Sequence, residues 1–210
     1  MPMRSIEALI QGFRAFRDNL DERERAHVAA LAREGQAPRI MIVACADSRV
    51  DPLRISGAGL GDVFIVRNVA NLVPPYAPDG DYHGTSAALE FAVRVLGVEH
   101  VVVMGHARCG GIQALLEGSP LPGGGDDFVG AWMRIAEPAR RRAEAMAPPG
   151  EARARACELE SVRQSLANLA TFPWIATRVA EGKLSLHGWY YDLAEARLLR
   201  LGTDGAFERA

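Results

Sequence analysis

The sequence is poor in cysteine, poorer still in lysine, and has no long apolar run. Its three cysteines, Cys45, Cys109 and Cys157, are an odd number with no evident pairing. That excludes a disulfide framework and suits a reducing compartment, where thiols stay free or hold a metal. Its 24 basic residues, almost all arginine, are set against 26 acidic ones, so the net charge is only -2. Such a balance offers no basic surface to nucleic acid or to an anionic membrane. No apolar stretch approaches the ~20 residues of a spanning helix. The opening residues, MPMRSIEALIQGFRAF, hold no continuous apolar segment and no small-residue cleavage site, so the chain reads as a mature cytoplasmic protein. A phosphate-loop motif is missing. Gly57, Gly59 and Gly61 precede an apolar run, whereas a dinucleotide fingerprint follows a strand and opens a helix. Neither an internal repeat nor a low-complexity tail is present.

What remains is an ordinary globular composition, 49% apolar over 210 residues, enough for one domain spanning 1–210 with a substantial core. Residues 5–34 read as two helices. Ile6, Leu9, Ile10, Phe13 and Phe16 recur at helical spacing, Asp21 and Glu24 form a capping box, and Gly35 is a stop. This arm, 1–35, precedes the first strand and is expected to pack on a partner subunit. Strands are expected at 39–44 (RIMIVA), 62–67 (DVFIVR) and 100–105, with a pair at 184–193 and 197–201. Helices are expected after Asp51-Pro52, over 85–96 with Gly97 at the end, from Gly110-Gly111 to Leu116, across 128–170 with a break near Pro148, and from Pro173 to Glu181. Residues 71–81 and 120–127 read as loops. The alternation predicts an α/β fold. It has a mainly parallel central sheet of four to five strands, flanked by helices, with the N-terminal helical arm added.

Two short stretches carry the chemistry. Cys45-Ala46-Asp47-Ser48-Arg49 follows the first strand, and His106-Ala107-Arg108-Cys109 follows the third. Alone, Cys45 reads as a small buried hydrophobe, and an H-x-x-C pair is common by chance. Jointly they offer two thiols and an imidazole, the ligand set of a zinc site that keeps one position open. Ligands in such sheets sit beyond the carboxyl ends of the strands, at a switch in strand order. If strands one and three are neighbours, the two loops meet there. Asp47 and Arg49 read either as a solvated ion pair of little weight or as a carboxylate oriented beside the metal's open position. Asp47 binding the metal directly would give a closed resting state. Cys157 reads as structural. His27, His100 and His187 read as surface or core residues, and His83 as a minor candidate for proton relay.

These residues resemble the β-class carbonic anhydrases. The resemblance rests on Cys45 to Arg49, on His106 to Gly111, on the stretch 61–71 (GDVFIVRNVAN) and on 186–189 (LHGW), and covers most of the chain from about Gly35 to Leu201. It implies Cys45, His106 and Cys109 as ligands of one Zn²⁺ per chain, with Asp47 and Arg49 as the catalytic pair. It implies reversible hydration of CO₂ to bicarbonate and a proton, by attack of zinc-bound hydroxide. It implies a homodimer or homotetramer, with no nucleic-acid or membrane partner. The subtype with a regulatory bicarbonate pocket uses Trp, Gly and Tyr where this chain has Ile42, Ala44 and Tyr191, so the resemblance favours the open, plant-like subtype. There, Gln36, Phe64, Val69 and Phe91 would surround the substrate, with Phe91 standing where Tyr is expected, and the Gly110 N–H would bind an anion. Two rival readings stand: hydrolysis of carbonyl sulfide or carbon disulfide on the same site, and a non-catalytic zinc-binding domain.

Overall fold

The computed structural model describes residues 5–118 and 128–210. The loop expected over 120–127 lies outside the described residues. The chain divides into two compact units, Met1–Gln36 and Ala37–Ala210. In the first, α1 (Ile6–Asn19) starts at Ser5, whose Oγ accepts the Ala8 N–H at 3.1 Å. In α2 (Glu22–Glu34) the capping box forms as expected: Asp21 and Glu24 each accept the other's backbone N–H, at 2.7 and 2.9 Å. Neither helix buries a residue, and Ile6, Leu9, Ile10, Phe13 and Phe16 are all exposed.

In the second unit the order is β1 (Ile40–Cys45), α3 (Pro52–Ser56), β2 (Val63–Asn68), α4 (Gly84–Glu90), β3 (His100–His106), α5 (Gly110–Glu117), α6 (Phe128–Met133), α7 (Glu137–Met146), α8 (Glu151–Leu169), α9 (Pro173–Ala180), β4 (Ser185–Asp192), β5 (Arg197–Leu201) and β6 (Phe207–Arg209). The sheet runs β2-β1-β3-β4-β5-β6. Its first four strands are parallel and β5 and β6 are antiparallel. Among the described residues the sheet has six strands, against the four to five expected. The added β6 is three residues with one apolar side chain, too short to show alternation. A turn at Asp204, whose Oδ1 accepts the Ala206 N–H at 2.9 Å, folds it back onto β5. The helix expected over 85–96 also differs: it begins at Gly84, and Phe91–Leu96 is π-helical.

Strands β1 and β3 are buried on both faces, which is why they read as unbroken apolar runs. Met41, Val43, Val101 and Val103 pack with Leu89, Val93, Val162, Leu169 and Ile175 from α4, the π segment, α8 and α9. Ile42, Ala44, Val102 and Met104 pack on the other side with Val50 and the partly buried Trp189 and Tyr191. The chain leaves β1 toward β2 and leaves β3 toward β4, in opposite directions, so the switch in strand order falls between β1 and β3, whose ends carry Cys45 and His106. Among the described residues, no helix is long and apolar enough to cross a membrane.

Candidate metal centre

Cys45 ends β1 and His106 ends β3, so the sheet itself sets their separation. Cys109 returns to them through a tight turn in which Arg108 takes a left-handed φ of 55°. The ligand atoms of Cys45, His106 and Cys109 lie within 4.8 Å of one another, and all three residues are buried. The two sulfurs are 4.0 Å apart. Zinc–sulfur bonds of about 2.3 Å at a tetrahedral angle put two sulfurs about 3.8 Å apart. His106 Nδ1 sits 2.9 Å from the Ala107 carbonyl, so it carries the proton and leaves the lone pair on Nε2. That Nε2 is buried with no hydrogen-bond partner. A buried lone pair beside two thiols is a donor set able to hold a metal ion, and the soft sulfurs favour zinc over harder ions. As two thiols facing each other, Cys45 ionises first. The Cys109 hydrogen bond pulls its pKa down against burial, and the same bond, with burial, pushes Cys109 up.

Asp47 borders this cluster, with Oδ2 3.9 Å from His106 Nε2. Arg49 grips its carboxylate three ways: Nε and backbone N–H to Oδ1 at 2.9 Å each, and Nη2 to Oδ2 at 2.6 Å. The Arg49 hydrogen bond holds the Asp47 carboxyl well below the usual carboxylate range. The same Nη2 reaches the Arg108 carbonyl at 2.9 Å, tying the Asp47 loop to the histidine–cysteine loop. Arg67, at the end of β2, staples the first loop from beneath. It donates to the carbonyls of Cys45, Asp47 and Val50 at 2.9, 2.7 and 2.7 Å.

Two glycines let neighbouring chain close in. A Cβ on Gly105 would stand 2.6 Å from Val162 Cγ2, and one on Gly111 would stand 2.9 Å from Val69 Cγ1. Behind Cys109 lies Glu158, which is 4% exposed. It accepts the Cys109 N–H at 3.1 Å and the Tyr190 hydroxyl at 2.7 Å. Burial pushes its carboxyl up, against the pull of those two donors.

Residues 40–198 match the carbonic anhydrase family. The chain is 40% identical over 201 residues to β carbonic anhydrase 5, chloroplastic, of Arabidopsis thaliana, covering 95% of this chain and 65% of that protein. It therefore spans just under two thirds of that relative's length. The chain belongs to the β-carbonic anhydrase family. The solved structure of the β-carbonic anhydrase CcaA superposes with a TM-score of 0.88 at 33% identity, over 98% of this chain and 92% of that one. A tetrameric β-carbonic anhydrase of Sordaria macrospora gives 0.78 at 30% identity, over 93% and 96%.

Not every expected residue of this family member gathers at the cluster. Gly110 opens α5 directly after Cys109 and lines a cleft of about 1180 Å³ with Arg49, Glu158 and Tyr190. Val69 caps the Gly111 approach and gives its carbonyl to Trp132 Nε1 at 2.8 Å. Phe64 and Phe91 stack on each other, centroids 5.9 Å apart. Phe64 pairs with Met41, four residues back along the ladder from Cys45 and Asn68, about 13 Å at ~3.3 Å per residue. The aromatic pair thus lies down the sheet from the cluster, and Phe91 is exposed. Gln36 is exposed at the end of the first unit. His83 is bound to Asp79 at 2.6 Å, and Cys157 is fully buried, its thiol pushed by burial to about 12. Glu158, Tyr190, Arg67 and Trp132 are supports to which sequence reasoning gave no role.

Proposed function

We propose that the protein catalyses the reversible hydration of CO₂ to bicarbonate and a proton on one zinc ion per chain. The observation that carries this is the unpartnered, buried His106 Nε2 facing two buried thiols, with an arginine-held carboxylate 3.9 Å away. A purely structural zinc site needs no such carboxylate. Cys45, His106 and Cys109 would hold the metal. Zinc bound there supplies Lewis acidity that makes water a nucleophile near neutral pH. Asp47 is ionised across that range and, fixed by Arg49, presents Oδ2 to accept a hydrogen bond from the reacting water. By holding both carboxylate oxygens, Arg49 would also restrain Asp47 from ligating the metal. The Gly110 N–H, at the start of an eight-residue helix, is placed to hold the developing anion.

We assign the open subtype, because Ile42 and Ala44 fill the positions of the regulatory pocket. Gln36, Phe64 and Phe91 then serve the site of a second copy in a homodimer or homotetramer. The exposed apolar stripe of α1 and the exposed Phe91 support that exchange. Three buried free thiols support a reducing compartment such as the cytoplasm.

Stopped-flow CO₂ hydration on protein of measured zinc content tests the proposal. Activity proportional to zinc, rising from pH 7 toward pH 9, is expected. Two thiolates would offset the charge of a bound dication and weaken its Lewis acidity relative to an all-histidine site, and Asp47 titrates too low to produce the rise. Zinc-replete protein without hydration activity would refute it.

A further inference from the structure

Helix α8 carries a polar stripe on its buried side. Glu158, Ser161, Ser165 and Asn168 are all under 9% exposed, in a helix whose sequence otherwise reads as a charged surface. Two members of the stripe hold the segment that follows β2. Ser165 Oγ accepts the Val73 N–H at 3.2 Å, and Asn168 Nδ2 donates to the Val73 carbonyl at 2.7 Å. Val162, on the same side, meets Gly105 just before His106. Glu158 is the member that reaches a donor residue, through the backbone N–H of Cys109.

Cys109 sits where a strained turn hands over to a helix. Its N–H belongs to neither the β3 ladder nor the α5 ladder, and a buried N–H without an acceptor is costly. Glu158 Oε1 supplies that acceptor, while Oε2 is engaged by the Tyr190 hydroxyl. Tyr190 is itself well packed: it is fully buried in β4, opposite Gly105, with the Arg155 guanidinium 5.2 Å above its ring. The carboxyl is therefore fixed at both oxygens, one by the sheet and one by the ligand turn.

Resting on the zinc reading above, we infer that Glu158 is a positioning residue: it locks the Cys109 turn so that the third donor meets the other two. Outer partners of this kind change metal affinity or activity by about 10–100-fold when lost. Glu158→Leu removes both hydrogen bonds at similar volume. Zinc should then pass to a chelator about tenfold faster or more. The thiolate-to-metal and d–d absorption bands of the cobalt-substituted protein should shift, and kcat should fall more than KM changes. Glu158→Gln keeps an acceptor oxygen and should restore wild-type release and spectrum. Leu169→Ala, a packing loss on the same helix, should lower the melting temperature and leave the cobalt bands in place.

A folded Glu158→Leu with wild-type release and bands would overturn the inference, and so would Leu169→Ala shifting the bands as far. If Glu158→Leu does not fold, Glu158→Asp decides, since its carboxylate is one methylene short of the Cys109 N–H. Faster release then supports the positioning role, and unchanged release refutes it. Wild-type protein that takes up no zinc would sink the zinc reading itself, a result distinct from any of these.

Discussion

Strand β3 begins at His100 and ends at His106, and the two imidazoles differ in what surrounds them. His100 Nδ1 lies 3.2 Å from His187 Nε2, so these two rings satisfy each other. The adjoining edge is closed by an Arg39–Glu99 ion pair. His106, at the carboxyl end, is 1% exposed, and its Nε2 has no partner. Burial without a partner is not by itself a site. Asn71 Nδ2 and Arg178 Nε are also buried and unpartnered. What sets His106 apart is convergence: two further soft donors share its space within 4.8 Å. Histidines that satisfy each other pack a sheet, and a histidine left unsatisfied among thiols is built to take a metal.

Substitution at the two ends sharpens this contrast most strongly. Cys45→Ser, His106→Ala or Cys109→Ser should each drop zinc from about one per chain to a small fraction. Hydration should fall on the order of 10³-fold, since the metal supplies several kcal/mol of the barrier reduction. His100→Ala and His187→Ala should keep full zinc, by metal analysis, and activity within about threefold, as expected of changes remote from the reacting groups. Full zinc and activity in any donor variant would remove that residue from the ligand set. Loss of zinc in a His100 variant would break the contrast altogether.

A second test stays at the carboxyl end and separates holding the metal from using it. Arg49→Ala should retain zinc while hydration collapses, because the freed Asp47 carboxylate can move onto the open position. Asp47→Ala should cost on the order of 10²-fold, the usual weight of a positioned acid–base group. The double variant Asp47→Ala/Arg49→Ala should return to the level of Asp47→Ala alone. A double variant as inactive as Arg49→Ala would mean that Arg49 acts by something other than restraining Asp47.

The next effect is on stability. Gly105→Ala places a methyl 2.6 Å from Val162 Cγ2, a β-branched side chain on a helix with little rotamer freedom. It should lower the unfolding free energy by about 1–3 kcal/mol, the common cost of overpacking, measured by urea denaturation with zinc in excess. An unchanged midpoint would show that α8 can retreat from β3 at that point, and the backing role of this helix would weaken.

How much of this was legible in the chain follows from range. Strands buried on both faces are written as unbroken apolar runs, so the ends of β1 and β3, and with them Cys45 and His106, could be placed from local sequence. Asp47–Arg49 is a contact two residues apart, and the histidine–cysteine turn is equally local. Glu158 acts on Cys109 across 49 residues, and its own surroundings, EARARACELE, read as a solvated charged face. Only the packing of α8 against the sheet and its neighbouring helices buries it. Arg67 reads as the last residue of a strand, and the carbonyls it holds lie 17 to 22 residues earlier. His100 and His187 are 87 residues apart and meet because β3 and β4 are neighbours in a register that no local pattern encodes.

The smallest effect concerns that histidine pair and has a definite sign. Burial lowers the pKa of His187 below the usual imidazole value, and the nearby His100 adds to the shift. The unfolded chain, with its histidine near pKa 6.5, therefore binds more protons than the folded one just below neutrality. Stability from this group is fully present above about pH 6.5 and is lost as the pH falls through that value toward the lower folded pKa. His187→Gln removes the titration and keeps a polar side chain of similar reach. Between pH 7.5 and pH 5.5, at saturating zinc, wild type should lose more unfolding free energy than the variant. The contributions of the zinc donors and of the carboxylates, common to both proteins, cancel in the difference. The Arg39–Glu99 pair facing the same edge stays charged over this window, because each partner holds the other in its ionised form. If wild type and variant lose stability in parallel, His187 is accommodated in its charged state as readily as in water, and the amino end of the sheet is a wetter place than its geometry implies.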